Sequence, residues 1–262
     1  MTRPDLSTSP VPGAGMGTPV LEVDDLHVEF RTRSGVVNAV NGISYGLAEG
    51  ETLAILGESG SGKSVSAQAI MGILDSPPAV ITGGGIYFQG EDLLKQSPEE
   101  QRKVRGPGIS MIFQDALSSL NPVYSVGYQI GEMFRAHRGM SKRDAKKHAI
   151  ELMDRVRIPA AASRVDDYPH QFSGGMRQRV MIAMAIALDP RVLIADEPTT
   201  ALDVTVQAQI MALLGELRDE TGMAMIFITH DIGLVAGIAD DIMVMQDGRA
   251  VEQGELGSVL DN

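Results

Sequence analysis

The alternation of apolar and polar residues predicts mainly β-strands in the first 113 residues. Residues 20–30 alternate between apolar and polar side chains, which is typical of a strand, here expected at the exposed edge of a sheet. An apolar run at 52–56 predicts a short strand that stops at Gly57, and helical spacing follows over 64–74. Three further strands are expected at 36–47, 82–89 and 109–113.

The character of the chain changes at about residue 115. Residues 115–168 are polar and charged, with helical spacing over 141–156, and they predict a helical insertion. Beyond the insertion, strands and helices alternate, with helices expected at 174–188, 204–217 and 232–239 and strands at 192–195, 224–229 and 242–245. This order predicts an α/β fold with a parallel sheet that carries helices on both faces.

Residues 1–19 predict a segment without regular structure. They are rich in Pro, Gly, Ser and Thr and lack the apolar core of a signal peptide, so we expect a disordered tail. The longest apolar run, 180–188, falls far short of the roughly 20 residues that span a bilayer. Residues 20–262 are expected to form one sizeable globular unit or two tightly joined lobes.

Composition narrows the classes of function. The chain has 34 acidic and 22 basic residues, and its net charge of −12 lacks the basic footprint of nucleic-acid-binding proteins. The same acidity argues against direct electrostatic adhesion to anionic lipid. The 262 residues include no cysteine, which excludes disulfides, cysteine-ligated zinc and iron–sulfur clusters in this chain and agrees with a reducing cytosol.

A phosphate-binding loop is predicted directly after the strand at 52–56. Residues 57–64 read Gly-Glu-Ser-Gly-Ser-Gly-Lys-Ser and have the G-x-x-x-x-G-K-[ST] spacing. Glycines let backbone N–H groups face the phosphates, and the following helix adds the partial positive charge of its N-terminus. Lys63 is placed to reach the β- and γ-phosphates, and Ser64 to hold Mg²⁺. The residues expected to bind nucleotide here are Gly57, Ser59, Gly60, Ser61, Gly62, Lys63, Ser64 and Val65.

Polar residues that could act on the nucleotide follow three other predicted strands. Asp196 ends an apolar run, and we expect it to face Mg²⁺ from a strand beside that of the phosphate loop. Glu197 points elsewhere and is placed to accept a proton from the attacking water. Gln114 and His230 also follow strands, where the ligand edge of a parallel sheet lies, so they can reach the metal, the water or the γ-phosphate.

A Ser-Gly-Gly turn opens the helix predicted at 174–188. Ser173 suits the N-cap position, and that role alone would explain it. Two glycines in a first turn lower helix propensity, and the expected reason is a close approach of Gly174 and Gly175 to an anionic group. On the predicted topology the turn lies far from the phosphate loop of its own chain, so a second copy has to supply the phosphate.

Together these motifs resemble those of the nucleotide-binding subunits of ABC transporters. The matches are residues 57–64 with Walker A, Gln114 with the Q-loop, 172–176 with the signature motif, 192–197 with Walker B, 201–203 with the D-loop, His230 with the switch histidine and Phe30 with the aromatic residue that stacks on adenine. The resemblance covers about residues 20–260. Segments 118–122, 168–179 and 195–207 look like those of the oligopeptide, dipeptide and nickel importer group.

The resemblance implies a P-loop core with a mostly parallel sheet, an N-terminal antiparallel β subdomain and a helical subdomain. Their expected bounds are 20–114 and 176–262 for the core with the β subdomain, and about 115–175 for the helical subdomain. It implies ATP and Mg²⁺, with Ser64, Gln114 and Asp196 ordering the metal. The expected catalytic residues are Lys63, Gln114, Glu197 and His230.

The resemblance also implies partners. Two ATPase subunits, identical or homologous, would meet head to tail, so that Ser173, Gly174, Gly175 and Asp203 act on the neighbour's nucleotide. Two membrane permeases, and indirectly an extracytoplasmic substrate-binding protein, would complete a peptide importer that has this chain at the cytoplasmic face of the membrane and binds no nucleic acid. We expect residues 114–132 to receive a short permease helix. Two departures are Met176, where the family usually has Gln, and a chain that stops short of the group's usual length.

Two other classes share the phosphate loop. Non-transport ATPases of the same fold act in DNA repair, chromosome maintenance or translation, and they carry coiled coils, zinc modules or a second cassette, none of which this sequence contains. A P-loop kinase or switch GTPase would not need the Ser-Gly-Gly turn. Permease genes beside the gene for this chain would favour the transporter.

Overall fold

Two β-sheets and the helices packed on them make up residues 19–114, 119–200 and 202–260, which the computed structural model describes. The tail predicted at 1–19 lies outside these ranges except for Pro19. The strands in the described residues are β1 (Leu21–Thr32), β2 (Gly35–Leu47), β3 (Thr52–Gly57), β4 (Ala79–Phe88), β5 (Glu91–Asp92), β6 (Ile109–Ile112), β7 (Val192–Asp196), β8 (Ala224–Thr229), β9 (Asp241–Gln246) and β10 (Arg249–Glu255).

Helices fill the connections between these strands. In the described ranges they are α1 (Lys63–Met71), α2 (Pro98–Val104), α3 (Val126–Arg138), α4 (Lys142–Arg155), α5 (Ala161–Arg164), α6 (Gly174–Ile186), α7 (Val204–Thr221), α8 (Ile232–Val235) and α9 (Leu256–Leu260). Two 3₁₀ turns lie at Leu93–Lys95 and Pro169–Gln171. Within the same ranges no helix is long and apolar enough to cross a membrane.

The smaller sheet is antiparallel and has the order β2-β1-β4-β5. β1 therefore has a neighbour on each side, and the prediction that it forms an exposed edge is wrong. Alternation reports that one face of a strand is more buried than the other, and it carries no information on how many strands pair with it. The buried side chains of β1 include Val23 and Leu26, which join the core between the two sheets.

The larger sheet has the order β10-β9-β3-β8-β7-β6, with parallel pairing throughout except between β9 and β10. The strand of the phosphate loop, β3, lies between β9 and β8. β8 therefore separates β7 from β3, and the prediction that the acidic pair follows a strand directly beside β3 is wrong. The chain order of strands requires crossover connections but does not fix which strands become neighbours.

The larger sheet is covered on both faces, and alternate residues of β3 point to the two sides. Leu53 and Ile55 pack in a core shared with α1 and the antiparallel sheet. Ala54 and Leu56 pack in a second core shared with α6, α7 and the helical segment. The prediction of helices on both faces is confirmed, with the antiparallel sheet as an additional layer.

Helices α3 and α4 form an antiparallel pair in the segment predicted as a helical insertion. Ser125 and Ser141 cap their N-termini by accepting hydrogen bonds from the N–H groups of Tyr128 and Asp144. Gly139 ends α3 in the left-handed conformation, with φ of 62°, which glycine adopts without strain. The side chains of α3 and α4 share the core of α6, so the bounds of a separate helical subdomain stay a prediction.

Candidate functional site

The residues predicted to act on the nucleotide converge at one edge of the larger sheet. Strands β3, β8, β7 and β6 are parallel, so their carboxyl ends meet there. In register, Leu56 lies opposite Thr229, and Asp196 lies opposite Ile228. The residues that directly end or follow these strands include Gly57, Asp196, Glu197 and His230, and Gln114 comes two residues after β6.

The loop from Gly57 to Ser64 has two positions that admit only glycine. Gly57 has φ of 154°, and a Cβ atom there would lie 2.3 Å from the carbonyl oxygen of Met245. Gly62 has φ of 100°, and a Cβ atom there would lie 2.2 Å from the carbonyl oxygen of Ala39. Gly62 also precedes α1 without a side-chain cap, so the first N–H groups of the helix stay free of a side-chain acceptor. The loop therefore fits a phosphate chain, which is the kind of ligand that such donors bind.

Lys63 lies inside this loop. Its Nζ donates hydrogen bonds to the carbonyl oxygens of Gly57 at 2.7 Å and Glu58 at 2.8 Å, and the residue is 5% exposed. Burial lowers the pKa of the ammonium group, and the charges of Glu197 and Asp196 act in the opposite direction. A phosphate bound in the loop would supply this half-buried cation with the opposite charge that it lacks.

Asp196 and Ser64 meet across the end of β8. The Ser64 hydroxyl donates to Asp196 Oδ1 at 3.0 Å. Burial raises the pKa of Asp196, which is 3% exposed, and the hydrogen bond from Ser64 opposes the rise. No cluster of three His, Cys, Asp or Glu side chains suited to a metal occurs in the described residues. The hydroxyl and carboxylate oxygens therefore fit Mg²⁺, which usually takes one or two protein ligands and completes its shell with phosphate and water.

Glu197 points away from Asp196 and holds three partners. Its Oε2 accepts hydrogen bonds from Gln114 Nε2 at 2.9 Å and from the Thr200 hydroxyl at 2.9 Å. Its Oε1 lies 3.4 Å from Nδ1 of His230, whose ring is largely exposed. The predicted divergence of the two carboxylates agrees with this geometry, and Glu197, Gln114 and His230 are brought together.

Two features around Glu197 were not predicted from the sequence. The residue has φ of 44°, a left-handed conformation that is strained for a non-glycine residue and that frequently occurs at functional sites. Thr200 returns to Glu197 because residues 197–200 form a turn, in which the Thr200 N–H donates to the Glu197 carbonyl at 3.2 Å. The signal available in the sequence was Pro198, because proline favours the second position of such turns.

Replacing Asp196 with Asn should stabilise the nucleotide-free protein while weakening Mg²⁺-dependent ATP binding. The folded-state pKa of Asp196 lies above its ordinary value, so the ionised carboxylate opposes folding at neutral pH. The variant should therefore gain at least about 2 °C in Tm at pH 7, as expected for about 1 kcal/mol in a domain of this size. The gain should shrink towards about pH 4, where the unfolded carboxyl also takes up its proton. Thermal unfolding between these pH values tests this, and an Asn variant less stable than the parent at pH 7 contradicts it.

The Ser-Gly-Gly turn lies on the opposite side of α6 from its buried face. The Ser173 hydroxyl accepts a hydrogen bond from the Met176 N–H at 3.3 Å, so Ser173 is the N-cap of α6. A Cβ atom at Gly175 would lie 2.7 Å from Cγ1 of Val206. Packing against α7 thus gives Gly175 a reason within its own chain, in addition to the anionic group expected from the sequence. Ser173 and Gly174 remain exposed.

Two residues with predicted nucleotide contacts have other structural partners. Asp203 caps α7, since its Oδ1 accepts a hydrogen bond from the Val206 N–H at 3.0 Å. Phe30 lies half-buried near the end of β1, where it pairs with Val37 and Ala79 of the neighbouring strands. Residue 201 of the expected D-loop and residue 118 lie outside the described residues. The nucleotide contacts of Asp203 and Phe30 stay predictions.

Comparison with known proteins places this geometry in a family. The family model described as "ABC transporter" matches residues 40–200. A protein of Brucella abortus named for peptide import and ATP binding is 54% identical over 243 residues, which span 93% of this chain and 73% of that protein. The oligopeptide transport ATP-binding protein OppD of Bacillus subtilis is 52% identical over 243 residues, 93% of this chain and 68% of that protein.

Solved structures agree with the sequence comparisons. The bacterial ABC transporter cassette MJ0796, solved as a dimer, has a TM-score of 0.80 and 28% identity, and the match covers 90% of this chain and 98% of that one. The same cassette has also been solved in a post-hydrolysis state with ADP and Pi. The α/β fold with a P-loop core and the resemblance predicted from the sequence are confirmed. With its Gly57–Ser64 loop and the family match over 161 of 262 residues, the chain belongs to the ABC transporter family.

Proposed function

We propose that this chain is the ATPase subunit of a membrane importer of oligopeptides or dipeptides, placed at the cytoplasmic face of the membrane. The observation that carries the ATPase is the position of Glu197, which is bonded to Gln114 and Thr200 at the sheet edge that also holds Lys63. The names of the relatives OppD and of the Brucella abortus protein support peptide import.

Binding of ATP would use the loop at 57–64 and the side chain of Lys63. The loop amides and the start of α1 would bind the phosphate oxygens, and Lys63 would exchange its bonds to the Gly57 and Glu58 carbonyls for bonds to phosphate. Phe30 would stack on the adenine. Ser64, Gln114 and Asp196 would hold Mg²⁺, which when bound neutralises charge on the β- and γ-phosphates.

Hydrolysis would use Glu197 as the group that accepts a proton from water. The bonds from Gln114 and Thr200 both reach Oε2, so they fix the carboxylate plane while Oε1 faces His230. His230 would orient the γ-phosphate from the exposed side. A general base in this position contributes roughly 10²–10⁴-fold to the rate.

A second ATPase subunit, identical or homologous, would complete each site. Ser173 and Gly174 are exposed at the positive end of α6, where they can donate to a phosphate that another subunit holds. Asp203, at the start of α7, would lie in the same interface. Two permease subunits, and through them an extracytoplasmic substrate-binding protein, would complete the importer.

Replacing Lys63 with Ala should weaken ATP binding by about 10- to 100-fold, because a charge-assisted hydrogen bond contributes roughly 1.5–3 kcal/mol. Titration with a fluorescent ATP analogue measures the effect. Lys103→Ala is the matched control, since Lys103 is exposed on α2 and far along the chain from the loop. A change in Kd below threefold in Lys63→Ala would contradict the role of Lys63.

A cavity beside the sheet edge is suited to a permease helix. It has a volume of about 440 Å³ and lies between β6, α3 and α6. Methionines dominate its lining, namely Met71, Met111, Met133, Met181 and Met184. Phe113 at its mouth is 41% exposed, and Val123 on the neighbouring surface is 69% exposed. Methionine-lined apolar grooves adapt well to helices with apolar anchors.

Replacing Val123 with Asp should reduce co-purification with membrane permeases by at least about tenfold, because a charge in an apolar interface loses its hydration. Val251→Asp is the matched control, since Val251 is also exposed, at 49%, but lies on β10 at the other edge of the sheet. Glu132→Lys, a reversal of an exposed charge on α3, should act in the same direction. Unchanged co-purification and transport in both surface variants would place the docking site elsewhere.

A further inference from the structure

The charge of this chain is unevenly distributed. Residues 135–148 contain six of the 22 Lys and Arg residues but only one acidic residue, Asp144. The six are Arg135, Arg138, Lys142, Arg143, Lys146 and Lys147, and we call them the basic patch. They lie on the end of α3 and the first half of α4. The net charge of −12 predicts repulsion from anionic surfaces, but this patch reverses the sign of the charge locally.

The basic patch borders a groove between α3 and α4. The groove has a volume of about 210 Å³, and its lining includes Arg135, Lys142, Lys146 and Tyr128. Lys146 pairs with Asp166 at 2.7 Å. In the described part of the chain, Lys142 and Arg143 have no carboxylate partner within salt-bridge distance. These two cations are exposed and available to an anion that the chain itself does not supply.

Packing of α4 directs these cations outward. The helix buries Ala145, Ala149, Leu152 and Met153 against the core, so its lysines remain on the solvent side. Gly131 of α3 lies close to α4, since a Cβ atom there would be 3.4 Å from the Ala145 carbonyl oxygen. The close contact of the two helices brings the cations of both onto one surface.

Exposed aromatic rings lie beside the cations. The rings of Tyr124 and Tyr128 stack with centroids 4.8 Å apart, and they are 46% and 39% exposed. The guanidinium of Arg135 lies 5.7 Å from the centre of the Tyr128 ring. Tyrosines beside lysines are typical of surfaces at the membrane–water boundary. Protein interfaces are depleted in lysine, so the three lysines of the patch favour a lipid surface over a protein partner.

We propose that the basic patch binds the phosphate groups of anionic phospholipids in the cytoplasmic leaflet. The placement rests on the proposed function, because α3 begins directly after the surface assigned to the permease and would therefore lie near the bilayer. Each Lys or Arg near such a surface raises the affinity by roughly fivefold. The acidic remainder of the chain is repelled, so the patch orients the ATPase with its docking cavity towards the membrane.

Vesicle binding of two matched double variants tests the patch. Lys142→Glu with Arg143→Glu alters it, and Arg102→Glu with Lys103→Glu, both exposed on α2, is the control. Each pair changes the net charge by −4, from −12 to −16. The parent and the control should bind vesicles that contain phosphatidylglycerol, weakly at high salt, and should not bind pure phosphatidylcholine. The patch variant should bind at least about 30-fold more weakly.

Three results would overturn the lipid site. They are equal binding to both vesicle types, equal loss in the two double variants, and binding to polyglutamate without binding to vesicles, which would indicate an acidic peptide as the partner. ATP hydrolysis of each variant, measured in parallel, separates the two proposals. Normal hydrolysis without vesicle binding contradicts the lipid site alone, and absent hydrolysis in the parent contradicts the proposed function.

Discussion

Replacing Glu197 with Gln should reduce steady-state ATP hydrolysis by at least about 100-fold and leave ATP binding intact. The amide can still accept hydrogen bonds from Gln114 and Thr200, so the local geometry should persist. It cannot take a proton from water, and a general base contributes roughly 10²–10⁴-fold to the rate. Phosphate release under saturating ATP measures the loss, and titration with a fluorescent ATP analogue measures the binding.

Glu252→Gln is the matched control for this substitution. Glu252 is exposed on β10, so the same chemical change there should leave hydrolysis within about twofold of the parent. Turnover at the parent rate in Glu197→Gln would refute the assignment of Glu197 as the base. Loss of ATP binding in the same variant would assign to Glu197 a role in the ground state.

Replacing Ser173 with Asp should abolish hydrolysis by at least about 100-fold without loss of ATP binding to the single subunit. Asp is as good an N-cap as Ser, so α6 should keep its stability. In a composite site the added carboxylate would face the phosphates bound by the neighbour, in place of a donor. Removal of one donor to developing charge already reduces rates by roughly 10²–10³-fold.

Ser173→Asn separates charge from helix capping in this experiment. Asn also caps helices well, and its amide can donate to phosphate. The Asn variant should therefore be more active than the Asp variant, while both unfold at about the temperature of the parent protein. Equal activity of Ser173→Asp and the parent would mean that this turn does not reach a nucleotide.

Much of the core could be predicted because each parallel strand is buried and is followed by a polar residue. That pattern placed Asp196 after β7 and His230 after β8, and parallel pairing brings such residues to one edge whatever the order of the strands. The order itself depends on packing between distant segments. The sequence therefore did not show that β8 separates β7 from β3, or that β1 is an interior strand.

The site was predicted less completely because some of its contacts depend on backbone conformation. The left-handed conformation of Glu197 and the return of Thr200 follow from a turn whose geometry is set by the surrounding sheet. The glycine at position 175 was attributed to an anion, and its contact with Val206 shows that helix packing also requires a small residue. Gln114 was placed correctly at the sheet edge, but its hydrogen bond to Glu197 could not be derived from spacing alone.

The structure of the Glu197→Gln protein trapped with Mg²⁺ and ATP, as an assembly with its second ATPase subunit, tests the composite site most directly. The quantity to measure is the distance from Ser173 Oγ and the Gly175 N–H to the γ-phosphate oxygens in the partner's loop. We expect distances of about 3 Å, as in ordinary hydrogen bonds. A fully loaded assembly in which both groups face solvent, with no nucleotide near them, would contradict the shared active site.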